Sequence, residues 1–142
     1  MSEVIYVRTN QSHSDFYNLL GPFLGNRLVS KELGMPIWND PHREWVIAVA
    51  NSVPVACSSI DCVPGKMSGT LKSSWVHPDW RGKGIYNQLV EERLKIARKA
   101  GLVSLRSTVT DKSYNTHIRL GFREVGQKGK YRVMEKELSE FV

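Results

Sequence analysis

Residues 76–89 read Val76-His77-Pro78-Asp79-Trp80-Arg81-Gly82-Lys83-Gly84-Ile85-Tyr86-Asn87-Gln88-Leu89: an apolar strand end, a proline turn and two near-adjacent glycines directly before a helix. Gly82 and Gly84 lack the Cβ atoms that would hold an anion away from the backbone, so the unpaired amides of the helix start can point at it. The helix dipole adds to that attraction, and Arg81 and Lys83 add full charges. Residues Arg81 to Ile85 are therefore read as a phosphate cradle in preference to an ordinary strand-helix turn.

Working outward, the helix after the cradle runs from about Lys83 to Ala100. Tyr86, Leu89, Val90, Leu94 and Ala97 repeat at the spacing of a buried helix face, Glu91 stands four residues ahead of Lys95, and Gly101 stops it. Leu102 to Thr110 alternates as a strand, and a helical crossover of this length places it parallel to the strand Ser68 to Val76. Asp111 to Arg119 reads as a short helix closed by Gly121, and Phe122 to Gln127 with Tyr131 to Leu138 as a terminal hairpin around Lys128-Gly129.

On the other side of the cradle, Val4 to Arg8 reads as a first strand. A helix is expected from Ser14 to Leu24, which Gly21-Pro22 can kink or end early, and a second, short helix carries Leu28, Val29 and Leu33 and ends at Gly34 and Pro36. Trp45 to Ala50 and Val53 to Asp61 form an antiparallel pair about Asn51-Ser52, and Pro64-Gly65 turns the chain into the strand that ends at Val76.

A strand ending in Val-x-Pro, Arg81-x-x-Gly84, a long amphipathic helix, a further strand and then Leu120-Gly121-Phe122 together resemble the GNAT superfamily of coenzyme-A-dependent N-acyltransferases, over roughly Leu71 to Leu138. The family's pyrophosphate signature is Arg or Gln, two variable residues, Gly, one variable residue, then Gly or Ala. Arg81, Gly84 and Tyr86 occupy those places; Tyr86 departs from the pattern and is read as a packing contact rather than a narrowed groove. The resemblance implies an α/β (α+β) GNAT fold: a mixed sheet of about seven strands, about four helices, and a splayed β-α-β unit whose gap receives the pantetheine arm as an extra strand.

The activity so implied is transfer of an acetyl group from acetyl-CoA to an amine by direct attack on the thioester. The backbone around Ser74 and Val76 would hold the arm, with Val76 N–H as the donor that polarises the thioester carbonyl, and Arg81, Gly82, Lys83, Gly84, Ile85 and Tyr86 would line the cofactor site. Relatives often use a glutamate on the central strand as base; here that strand offers Leu71, Lys72, Ser73 and Ser74. Asp61 is the nearest replacement carboxylate, Glu44 a weaker one, and a water relay at Ser73 or Ser74 or an amine that arrives neutral would need neither. The proton for the leaving thiolate is assigned to His117, which stands where relatives carry a tyrosine, or to Tyr114 one turn earlier, with water as the remaining source. His77 is read as a turn former, and Trp38 as a contact for the acceptor.

A chain of 142 residues with 41% hydrophobic content fits one domain spanning 1–142. No apolar run reaches the length of a membrane span and Met1-Ser2-Glu3 does not start a signal peptide, so a soluble cytoplasmic protein without a membrane role is expected. Cys57 and Cys62 should face opposite sides of a strand as free thiols, and His13, His42, His77 and His117 show no metal spacing, so no metal is assigned. The net charge of +6 suits a polyanionic cofactor but also nucleic acid. Three functions stay open: an acetyltransferase for a small-molecule, peptide or protein amine; a GNAT-fold protein modifying nucleic acid or charged tRNA, with Arg123, Lys128, Lys130 and Arg132 as footprint; and a non-catalytic CoA-binding module. Both a monomer and a homodimer are compatible with the sequence.

Overall fold

The computed structural model describes residues 3–138. The elements are β1 (Val4–Thr9), α1 (Phe16–Leu20), α2 (Arg27–Leu33), β2 (Arg43–Ala50), β3 (Val53–Asp61), β4 (Ser68–Val76), a 3-10 turn (Pro78–Trp80), α3 (Ile85–Lys99), β5 (Ser104–Val109), α4 (Asp111–Arg119), β6 (Arg123–Lys128) and β7 (Tyr131–Glu137). The seven strands form one mixed sheet in the order β1-β2-β3-β4-β5-β7-β6. Among the described strands only β4 and β5 run parallel, because α3 carries the chain back along the sheet between them.

Strand alternation divides the core into two layers. Val46, Ala48 and Ile60 pack with Leu89, Val90, Leu94 and Ala97 of α3 on one face of the sheet. Trp45, Ile47, Cys57 and Trp75 pack with Phe16, Leu20, Phe23 and Val29 of the α1–α2 region on the other. The β2–β3 hairpin turns on Asn51 and Ser52, with φ of 52° and 64°, the left-handed pair that matches strand twist. Cys57 is buried, Cys62 is half-buried and both are free thiols, one facing each layer.

Two helices are shorter than the sequence suggests. α1 stops at Leu20, because Pro22 has no N–H to give to the preceding turn. α3 starts at Ile85 rather than Lys83, with Gly84 as its N-cap in the left-handed conformation. No helix among the described residues is long and apolar enough to cross a membrane.

Candidate active site

The site begins where the sheet comes apart. β4 pairs with β5 from Ser68↔Ser104 to Leu71↔Ser107 and no further, although β4 runs on to Val76 and β5 to Val109. On its other side β4 stays paired with β3, but only after a register shift between Cys57 and Ser59. Across that shift Ser73 and Ser74 oppose the single residue Ser58, a bulge that bends β4, and Ser73 takes a φ of 27°. Beyond the bulge His77 N–H donates to Val55 O at 2.8 Å. Strand alternation then turns Val76 N–H the other way, toward the gap.

The cradle closes the open end of this gap. Gly82 and Gly84 have φ of 76° and 81°, and a Cβ at either would meet nothing within 4 Å; the backbone demands glycine and leaves room in front of it. α3 has no side-chain cap and no acidic residue in its first turn, so its leading N–H groups are left for an external anion. His77 Nδ1 accepts from Asp79 N–H at 3.1 Å, which makes it the turn former expected.

The profile of the acetyltransferase (GNAT) family matches residues 13–122. The chain belongs to this family. It is thus an acyltransferase by family, and solved structures agree in fold. Tetrahymena GCN5 superposes with a TM-score of 0.79 at 14% identity, covering 97% of this chain and 98% of that one. A GNAT-family acetyltransferase from Staphylococcus aureus Mu50 gives 0.72 at 14%, covering 96% and 100%. The PaiA N-acetyltransferase of Thermoplasma acidophilum, solved with coenzyme A, gives 0.68 at 13%, covering 96% and 99%. No curated protein matches the sequence.

Within this GNAT chain the motif arginine does not reach into the cradle. Arg81 Nε donates to Val76 O at 2.8 Å, and its two terminal nitrogens donate to the Glu32 carboxylate of α2 at 2.7 and 3.1 Å. Trp75 Nε1 adds a third hydrogen bond to Glu32 at 2.8 Å. These bonds, from Arg81 first, hold the Glu32 carboxyl down at about 2. The full charge expected from Arg81 is therefore matched by Glu32, whereas exposed Lys83 has no ion-pair partner among the described residues. Tyr86, in the third signature place, is half-buried against the α3-side core, with its ring 6.2 Å from that of His117; it packs, as expected.

His117 is 1% exposed. Its Nδ1 lies 2.9 Å from Ser113 O; a carbonyl only accepts, so Nδ1 carries the proton and Nε2 is a bare acceptor. That Nε2 is buried with no hydrogen-bond partner among the described residues. Burial, with the Arg93 guanidinium assisting against the Ser113 carbonyl, lowers its pKa, so the imidazole is neutral at neutral pH. Tyr114, half-buried on the same helix, lies under the Arg132 guanidinium at 4.7 Å. α4 begins two residues after β5 ends, which puts this helix at the mouth of the gap.

Asp61 is not brought to the site. It is in register with Thr70, whereas Val76 is in register with Ala56, five residues and about 17 Å along β3. Both its oxygens accept from buried Arg43, at 2.7 and 3.2 Å, and Arg43 also donates to Trp38 O and Asp40. The ion pair fixes the loop that leaves Trp38 half-exposed. Glu44 likewise accepts from Arg8 and Asn10. Two of the four late basic residues are ion-paired, Arg123 with Glu135 and Arg132 with Glu124 and Asp111.

Two residues at the site were missed by sequence reasoning. Glu32 carried no signal, since it lies 49 positions from Arg81. Arg93 did: it stands between Leu89 and Ala97 on the apolar stripe of α3, is 1% exposed, and donates to Leu89 O, Ser59 O and Lys72 O at 3.2, 3.0 and 3.4 Å.

Proposed function

We propose that this GNAT enzyme transfers an acetyl group from acetyl-CoA to an amine acceptor by direct attack on the thioester. The observation that carries the reading is the continuity of the β4–β5 gap with the uncapped, glycine-led start of α3. An extended arm fits the unpaired edge of β4, and a pyrophosphate fits the amides of residues 82–86 with Lys83 beside them. Bound there, acetyl-CoA supplies an acyl group on a good leaving thiolate.

The chain's residues then have distinct tasks. The backbone at Ser74 and Val76 pairs with the arm, and Val76 N–H faces the charge that develops on the thioester oxygen, worth about 3 kcal/mol for one well-placed donor. Tyr114 gives the departing sulfur its proton, and the proton that the amine nitrogen loses on forming the amide passes to water and restores the phenol. His117, neutral and with Nδ1–H held by Ser113, serves as an acceptor in the floor of the site and not as the acid.

No strong base is offered on β4, where Lys72, Ser73 and Ser74 follow the last pair with β5 at Leu71, and both Asp61 and Glu44 are engaged by arginines. This favours an acceptor whose amine is partly neutral near pH 7.5. An α-amine is then about one-third free base, against about 0.1% for a lysine side chain. A peptide, amino-acyl or similarly weakly basic amine is thus the preferred acceptor.

The test is calorimetric titration with acetyl-CoA, followed by a panel of α-amines and lysine-type amines with thiol release as readout. Saturable binding and faster release with α-amines support the proposal. Absence of binding would overturn it, and preference for lysine amines would overturn the acceptor assignment.

A further inference from the structure

A buried arginine without a carboxylate partner is expensive, because the charge is taken out of water and met only by dipoles. Arg93 is such a residue: 1% exposed, with three backbone carbonyls as its hydrogen-bond acceptors, the Tyr86 side chain beside its guanidinium and no salt bridge among the described residues. Burial brings its pKa down to about 10, so at neutral pH the charge stays and its cost is borne by the fold. An aliphatic side chain would continue the stripe of Leu89, Val90, Leu94 and Ala97 without that cost.

The place of the charge accounts for it. Ser59 and Lys72 are partners across β3 and β4, the last regular pair before the bulge, and one Nη of Arg93 takes both their carbonyls, at 3.0 and 3.4 Å. Leu71, one residue earlier, is the last residue of β4 paired with β5. Ser73, one residue later, has the positive φ. The guanidinium therefore sits at the fork where the sheet divides.

We propose that Arg93 is a positioning residue for the acyl-donor site: by gripping the carbonyls of Ser59 and Lys72 it holds the bulge that parts β4 from β5 and aims the amides beyond it into the gap. The extra residue shifts the strand's alternation by one for everything after it, so the bulge also decides which N–H groups face the gap. The proposal rests on the acyl-donor reading for its purpose, while its geometry stands apart from it.

The test compares wild type with Arg93→Gln and Arg93→Lys, using amide hydrogen exchange by NMR without ligand and calorimetric titration with coenzyme A. In the wild type the Ser74 and Val76 amides should exchange fast while Leu71 is protected. In folded Arg93→Gln, β4 should close on β5, giving slower exchange at Ser74 and Val76 and affinity for coenzyme A reduced by about tenfold or more; Arg93→Lys should be intermediate. A merely structural role would lower protection throughout the sheet instead. Wild-type exchange and affinity in a folded variant would overturn the proposal. If neither variant folds, the wild-type guanidinium signals decide: resolved, slowly exchanging Arg93 protons uphold the grip, and freely averaged ones overturn it. If wild type binds no coenzyme A, the donor reading fails, and the exchange comparison still decides the role of Arg93.

Discussion

The Glu32 carboxylate and the Arg81 guanidinium meet in a two-pronged ion pair, at 2.7 and 3.1 Å, that ties α2 to the loop preceding α3. Glu32 has a folded-state pKa of about 2, below its ordinary value of 4.5. The ionised form is thus favoured by the fold, and the pair's contribution is complete above about pH 4.5 and lost as pH falls toward 2. Glu32→Gln should differ from wild type in stability above pH 5 and converge with it by pH 2. Thermal melts across pH 2–7, read by tryptophan fluorescence because Trp75 also bonds to Glu32, check this; a gap independent of pH would contradict it.

The two basic residues of the cradle should separate by salt. Lys83 is exposed and has no ion-pair partner among the described residues, so Lys83→Ala should weaken coenzyme A binding by a few-fold and flatten its dependence on ionic strength. Arg81 is already matched by Glu32, so Arg81→Ala should weaken binding through the loss of its bond to Val76 O and the unmasked Glu32 carboxylate, while Arg81→Ala with Glu32→Gln should leave the salt dependence near that of wild type. Titrations at low and high salt distinguish the two.

His117 should resist protonation. Its pKa is lowered below 6.5 by burial first, so the unfolded chain takes up the proton before the folded one does. Stability is then full above about pH 6.5 and declines as pH falls below it. NMR titration of the imidazole should show no midpoint near 6.5, and a midpoint there would contradict the neutral assignment.

Tyr114→Phe should lower kcat by about 100-fold, the lower range for loss of a positioned acid, with coenzyme A affinity unchanged. An equal fall with the neutral-histidine replacement His117→Gln, and none with Tyr114→Phe, would move the proton to His117.

Ser73 holds a φ of 27°, a region that L residues enter at a cost of about 1–2 kcal/mol. Ser73→Gly should therefore raise the melting temperature by a few degrees without abolishing coenzyme A binding. A fall would show that the hydroxyl has a role of its own.

Much of the frame was legible in the sequence because local rules settled it. The limits of β3, β4 and α4 follow from alternation and turn residues, and Gly34 and Gly101 take the left-handed conformation at their helix ends. The glycine-led start of α3 was legible because the order around it, a strand end, a proline turn, Arg81-x-x-Gly84 and a long amphipathic helix, is more specific than the two glycines alone. The gap was expected only through the family, since nothing local in Lys72-Ser73-Ser74 announces an extra residue opposite Ser58. The destination of Arg81 was invisible for a similar reason: a side chain's partner is chosen by tertiary neighbours, and Glu32 arrives from another layer. Asp61 is the carboxylate nearest to β4 along the chain, but the antiparallel β3–β4 turn sets it opposite Thr70, at the other end of β4 from Val76.

The parallel β4–β5 pair divides the sheet into two antiparallel halves, β1 to β4 and β5 with β7 and β6. Within each half, neighbouring strands are joined by five to eight residue pairs, whereas the seam between the halves is spanned by α3 and contributes four. The junction with the fewest pairs is the first to be given up. The proposed acyl-donor site lies on this seam, so it depends on the least-paired junction of the sheet, and a weakened variant can keep most of its strands while having no site at all.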